Sequence, residues 1–179
     1  STFPNGVMPI MELIKSSEDV ARYDGFFLVE KPKNRKNPFT YQLKGEPIPK
    51  EVYEHKAKWV QTRKAEDVIF EENVESNIWE KAEDLNALFE CNFPLFGTTS
   101  CQKLARFSVA MASLIVSTDE TYSKVIVTQE CVDYAFKFLV KVYDNSVFKL
   151  KEYKDHYESY YTITEEELEE FQRLYCNHS

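Results

Sequence analysis

Two consecutive segments decide the fold, KLARFSVAMASLIVSTDE (103–120) and VIVTQECVDYAFKFLVKVYDN (125–145). Apolar residues of the first segment cover more than half of the helical circumference. They predict a helix that begins at Thr99 or Ser100, ends near Val116 and lies in the centre of a bundle. Together the segments indicate a mainly α (α+β) protein with short strands.

The second segment carries the clearest helix signal of the chain. Thr128 follows the strand-like VIV (125–127), and its hydroxyl is predicted to cap the next helix. An apolar stripe then continues to Asp144, formed by Val132, Ala135, Phe136, Leu139, Val140 and Tyr143. Because VIFEEN (68–73) resembles VIVTQE (125–130), we expect the two short strands to lie near each other.

Further helices are predicted on both sides of this pair. The pattern indicates helices over about Lys50–Thr62 and Glu72–Glu90, and a last helix that Thr164 caps. Near the N-terminus, a short helix and a turn precede GFFLV (25–29). This run lacks alternation, which is typical of a strand covered on both faces.

The breaker cluster KGEPIPK (44–50) is the best candidate boundary. It divides the chain into a strand-containing part (1–44), an all-helical part (45–150) and a linker with a C-terminal helix (151–179). Residues 151–179 match no pattern that we can place.

Composition restricts the function. The chain has 179 residues, with 22 Lys and Arg against 30 Asp and Glu, which gives a net charge of -8. This charge opposes non-specific binding of nucleic acid by the chain alone. The four glycines are scattered, whereas a phosphate-binding loop needs several close together.

The four cysteines form no CxxC pair, and no histidine lies near them at zinc-ligand spacing. Buried, free thiols are the favoured interpretation, with a disulfide or a redox role as the alternative. We therefore expect an intracellular protein, cytoplasmic or nuclear. No apolar run approaches the roughly 20 residues of a membrane span, so we expect a soluble protein.

No catalytic or metal-binding constellation appears among the motifs. The run LIVSTDE (114–120) resembles the strand and acidic pair that hold magnesium in ATPases, but the helical period favours the end of a helix. The glutamates of 165–170 are interpreted as a solvated helix face. Tyr157, Tyr160 and Tyr161 could stack on bases, although the acidic charge favours packing or partner docking.

One segment rises above this background, ARYDGFFLV (21–29). An Arg at the rim of a subunit can reach a neighbour's nucleoside triphosphate and stabilise the charge on the transferring phosphoryl group. The alternative is a surface pair of Arg22 with Asp19 or Asp24, which has little energetic effect. The motif alone does not separate these two hypotheses.

The surrounding sequence favours the first hypothesis. ARYDGFFLV resembles the Ser-Arg-Phe-Asp arginine-finger segment of MCM-type replicative helicases, a family of AAA+ ATPases, with Tyr and Gly in place of Phe and a bulky residue. KWVQTRKAEDVIFEENV (58–74) is similar to the start of that family's helical lid. The segments 103–120 and 125–148 resemble its last two lid helices. The resemblance covers about residues 8–150, in the same order.

The resemblance implies the C-terminal part of an ATP-dependent DNA helicase of DNA replication, active as a homo-oligomeric ring, with a hexamer as the expected form. Arg22 would act in trans on the ATP of the neighbouring subunit, projecting to solvent from a strand end, with Tyr23 and Asp24 fixing this strand-edge position. ATP and Mg²⁺ would be bound mainly by residues outside this chain, and DNA by other parts of the protein. The isolated chain would therefore not hydrolyse ATP.

The family also carries a sensor Arg at the start of the third lid helix. Here that region reads TTSCQK (98–103), so that either Lys103 or Arg106 takes the role or the chain lacks it. A rival hypothesis from another class is a non-catalytic helical module that resembles an ATPase lid and binds a protein partner.

Overall fold

The computed structural model describes residues 3–29, 48–91, 93–145 and 147–161, with residues 156–161 described by their backbone only. This part of the chain is mainly helical with one small parallel sheet, as predicted. Its helices are α1 (Val7–Leu13), α2 (Ser17–Arg22), α3 (Lys50–Gln61), α4 (Val74–Leu88), α5 (Ser100–Ile115), α6 (Gln129–Tyr143) and α7 (Leu150–Tyr161). Its strands are β1 (Val68–Phe70) and β2 (Val125–Val127).

Helices α4, α5 and α6 pack against one another and form the centre of the bundle. Their buried positions recur at three- and four-residue steps, as expected for helices that each bury one face. On α4 these are Val74, Ile78, Ala82 and Leu85; on α6 they are Cys131, Val132, Ala135, Leu139 and Tyr143.

The two strands pair in parallel, with Val68 opposite Val125 and Phe70 opposite Val127. The prediction that VIFEEN and VIVTQE lie near each other is therefore confirmed. Each strand leads into a helix, β1 into α4 and β2 into α6. The pairing thereby brings the starts of these two helices together.

Thr128 caps α6 as predicted, since its side chain accepts a hydrogen bond from the backbone N–H of Cys131. The run Leu114–Val116 belongs to the end of α5, where Val116 adopts the left-handed conformation with φ of 58°. The interpretation of LIVSTDE as a helix end is confirmed.

Three expectations about elements were wrong. Residues 25–29 do not form a strand, and Val29 is 96% exposed rather than covered. The buried face of α5 ends at Ala112, so that Leu114 and Ile115 are exposed instead of central. A helix, α7, occupies part of the predicted linker, and its Tyr153 is buried in the core.

Other predictions fall outside the described residues. The helix predicted after Thr164 lies there, as does most of the breaker cluster 44–50. Among the helices of the described ranges, none is long and apolar enough to cross a membrane.

The turn between α5 and β2 is organised around the carboxylate of Asp119. It accepts hydrogen bonds from the hydroxyl groups of Thr121 and Ser123 and, at 2.8 Å, from the backbone N–H of Lys124. These bonds, that of Thr121 foremost, hold the pKa of Asp119 well below its ordinary value of 3.8.

The same turn holds helix α3, of which no described residue is buried. The indole N–H of Trp59 donates to the carbonyl of Tyr122 at 2.7 Å, and Arg63 donates to the carbonyl of Ser123 at 2.6 Å. Helix α3 is therefore attached to the bundle by polar contacts, to this turn and from Lys56 to the carbonyl of Leu114, and by the partly buried ring of Trp59.

Replacement of the cap residue tests the local account of α6. We expect Thr128→Ala to lower the free energy of unfolding by about 1 kcal/mol, because an orphan N–H at the helix start loses its acceptor. The matched control is Thr99→Ala, since Thr99 precedes α5 without a side-chain capping bond. Urea denaturation of both variants measures the difference, and equal losses would contradict the cap.

The pH dependence of stability tests the Asp119 turn. A carboxyl group whose pKa is lowered by folding stabilises the folded state at pH values above its ordinary pKa of 3.8. This contribution is lost as the pH falls through and below 3.8. We expect Asp119→Asn to be less stable than the wild type at pH 7 and the difference to shrink below about pH 4. Denaturation between pH 7 and pH 3 checks this, with the exposed Asp84 changed to Asn as the control. A difference independent of pH would contradict it.

Candidate functional site

Arg22 is the last residue of α2, and its side chain is 76% exposed. Ser16 caps the start of this short helix by accepting the N–H of Asp19. The Arg22 guanidinium donates to the Asp19 carboxylate at 3.2 Å, one helical turn earlier. This pair lies in solvent, where such pairs contribute about 0–1 kcal/mol, so that little energy holds Arg22 there.

Both features anticipated for Arg22 are therefore present. Its side chain projects to solvent, as an arginine finger requires, and it pairs with Asp19, as the alternative proposes. It projects from the end of a helix, whereas the expectation was the end of a strand.

Arg106 lies on α5 and pairs with Asp24, 82 positions away in sequence. The two atoms, Nη1 and Oδ1, are 2.6 Å apart, and the Arg106 side chain is 64% exposed. Of the two candidates for the sensor role, Arg106 is the one whose charged group faces solvent. The structure thus places Arg106 next to the segment that follows Arg22.

Lys103, the other candidate, is only 2% exposed. Its ammonium donates to the carbonyl of Leu95 at 2.7 Å and so holds the loop that precedes α5. Burial lowers the pKa of Lys103, while the nearby charge of Asp24 acts in the opposite direction and that of Arg106 adds to the decrease. In this conformation its amino group points into the protein.

The residues after Arg22 lie against α5 and α6 at three successive positions. Asp24 pairs with Arg106; a Cβ atom on Gly25 would lie 3.2 Å from Cζ of Phe107; and the N–H of Phe26 donates to the hydroxyl of Tyr143 at 2.9 Å. Gly25 is therefore explained by close approach, because a side chain there would displace Phe107.

Tyr143 is held by an aromatic cluster. Its ring makes edge contacts with Phe96 and Phe148 at centroid distances of 5.2 and 4.9 Å. Burial raises the pKa of the Tyr143 phenol above its ordinary value of 10.0, so that the hydroxyl is neutral at pH 7. It can then accept the Phe26 N–H with a fixed orientation.

Within the described ranges, no group of three or more His, Cys, Asp or Glu is arranged to hold a metal ion. Three of the four cysteines lie there, and Cys91, Cys101 and Cys131 are all free thiols. Burial raises the pKa of Cys91 and of Cys101, which disfavours their reactive thiolates.

Comparisons of the chain with protein-family models, with curated proteins and with solved structures gave no match. The candidate site consists of the exposed Arg22, the Asp24–Arg106 pair and the Phe26–Tyr143 hydrogen bond.

Sequence reasoning missed the contacts that connect these elements. Tyr143 was assigned to the apolar stripe of α6, and its hydroxyl contacts a residue 117 positions away. No local pattern identifies such a partner. The one available signal was a phenol in a buried stripe, because a buried hydroxyl usually has a hydrogen-bond partner.

Removal of the Tyr143 hydroxyl tests this contact. We expect Tyr143→Phe to reduce the free energy of unfolding by about 1 kcal/mol, because the ring remains and the Phe26 N–H loses its acceptor. The control is Tyr134→Phe on the exposed face of the same helix, with an expected change within about 0.5 kcal/mol. Urea denaturation compares the two, and equal values would contradict the assigned bond.

Proposed function

We propose that this chain is the C-terminal part of an MCM-like AAA+ motor, a DNA helicase that acts in DNA replication. It would supply an arginine finger, Arg22, and a helical lid formed by α3–α6. The observation that carries the proposal is the placement of Arg22: an exposed guanidinium at a helix end, held by one weak surface pair and followed by a segment fixed to the bundle.

The order of elements supports the same proposal. Helix α3, strand β1, helices α4 and α5, strand β2 and helix α6 follow one another in the order of the segments that resemble the AAA+ lid. The parallel pairing of β1 with β2 joins the first and second halves of this series of elements into one unit. We refer to this unit below as the lid.

The chemistry of Arg22 fits the role. A guanidinium keeps its charge at any physiological pH and donates several hydrogen bonds in a fixed plane, which suits the oxygens of a transferring phosphoryl group. Release from Asp19 costs little, because both side chains of that pair are more than half exposed. Arg22 can therefore exchange a carboxylate for the triphosphate of a neighbouring subunit.

ATP with Mg²⁺ would supply the phosphoryl group, bound mainly by parts of the motor outside this chain. The described residues fit that division, since the exposed guanidinium groups of Arg22 and Arg106 are donors suited to phosphate. Neighbouring subunits of a homo-oligomeric ring are the implied partners. Because this part has a net charge of -8, other parts of the protein would bind the DNA.

Mutation of Arg22 in the full protein tests the proposal. We expect Arg22→Ala to lower ATP turnover by about a thousandfold or more while nucleotide affinity stays nearly constant, because a finger acts mainly on the transition state. Steady-state ATPase assays and titration with a fluorescent ATP analogue measure the two quantities.

Lys137→Ala is the matched control, since it removes one exposed cation from the outer face of α6. We expect its turnover to equal that of the wild type. Unchanged turnover in Arg22→Ala would refute the finger and leave the rival hypothesis, a helical module that binds a protein partner.

A further inference from the structure

The geometry points to Arg106 as a positioning residue: by pairing with Asp24, it fixes the Arg22 segment to α5 and keeps Arg22 available to the neighbouring subunit. This inference rests on the proposed function and concerns the regulation of the same site. It differs from a sensor role, in which Arg106 would contact nucleotide directly.

Two carboxylates lie close to Arg22 in sequence, since Asp19 precedes it by three positions and Asp24 follows it by two. Arg106 binds Asp24 at 2.6 Å, and Arg22 binds Asp19 at 3.2 Å. Because Asp24 is paired with Arg106, Asp19 is the carboxylate that competes with phosphate for the Arg22 guanidinium. Loss of Arg106 would leave the Asp24 carboxylate without its cation, two positions after Arg22.

Arg106 and Phe107 are consecutive on α5, and they lie beside the consecutive residues Asp24 and Gly25: Arg106 pairs with Asp24, and a Cβ atom on Gly25 would lie 3.2 Å from Cζ of Phe107. The ion pair lies on the side of this segment that is open to solvent, and the next residue, Phe26, is bonded to Tyr143 of α6. A displacement of α5 is therefore transmitted to the residues directly after Arg22.

The consequence is a coupling between lid and finger. A closing movement of the lid over its own nucleotide would carry α5, and the Asp24–Arg106 pair would carry the Arg22 segment with it. Since a misplacement of about 1 Å can reduce catalysis about a hundredfold, the pair can control turnover in the neighbour without contacting nucleotide.

A charge-reversal cycle in the full protein tests this role. We expect Asp24→Arg and Arg106→Asp each to lower kcat for ATP at least about tenfold with KM within about twofold. The double variant restores the attraction in reverse and should recover most of kcat. Melting temperatures of all variants show whether each one is folded.

The matched control is Lys81→Asp with Asp133→Lys. This pair also joins two lid helices, α4 and α6, at 3.1 Å, and it has no contact with the Arg22 segment. We expect kcat to remain within about twofold of the wild type in this double variant. A second readout is hydrogen exchange of the peptide 20–28, which should become faster in Arg106→Asp and return to the wild-type rate in the Asp24→Arg/Arg106→Asp double variant.

The variant Arg22→Ala, assayed in parallel, separates the two proposals. If Arg22→Ala is inactive and the reversal cycle shows rescue, the inference stands. If Arg22→Ala is inactive and both single reversals turn over like the wild type, the positioning role is refuted and the finger survives. An Arg106→Asp variant with a raised KM and no rescue would also refute it, in favour of a sensor. Wild-type turnover of Arg22→Ala would refute both proposals.

Discussion

The hydrogen bond from the backbone of Phe26 to the hydroxyl of Tyr143 connects the N-terminal segment to the helical bundle. The ring of Tyr143, which carries the accepting hydroxyl, contacts the rings of Phe89, Phe96 and Phe148. A buried phenol can serve as such an anchor because its body packs as an apolar group and its hydroxyl stays available for one polar partner. This anchor follows Arg22 by four positions, and Val20, buried in the core, precedes Arg22 by two, so that the two together position Arg22.

The aromatic cluster around Tyr143 also joins distant parts of the chain. Phe148 follows α6, and its carbonyl accepts the backbone N–H of Gly6 at 2.9 Å. Tyr153 of α7 makes an edge contact with Phe93, which lies in the loop before α5. The segments before and after the α4–α6 bundle are therefore packed on the same hydrophobic core.

The elements that sequence predicted are those determined by local chemistry. Thr128 and the stripe of α6 needed only helical periodicity and one capping hydroxyl, and both were confirmed. The pairing of β1 with β2 was predicted from two similar short runs. Residues 25–29 were wrongly expected to be covered on both faces, because an all-apolar run conceals that Phe26 and Leu28 pack inward while Phe27 and Val29 face outward. The run forms no strand, since within the described residues it pairs with neither β1 nor β2.

The candidate site was predictable only in part. Arg22 was found from its motif, and so was its possible pairing with Asp19. The Asp24–Arg106 pair was not, because it joins residues 82 positions apart and depends on the packing of the whole bundle. Lys103 was named as a candidate for the sensor role from its position in the sequence, which does not show that its side chain is buried and donates to the carbonyl of Leu95.

The most direct test is the structure of the assembled protein with a non-hydrolysable ATP analogue. We expect the Arg22 guanidinium to lie within hydrogen-bonding distance, about 3 Å, of the terminal phosphate bound by the neighbouring subunit. We also expect the Asp24–Arg106 pair and the Phe26–Tyr143 bond to be preserved. A structure in which Arg22 stays on Asp19, away from any nucleotide, would contradict the proposed arginine finger.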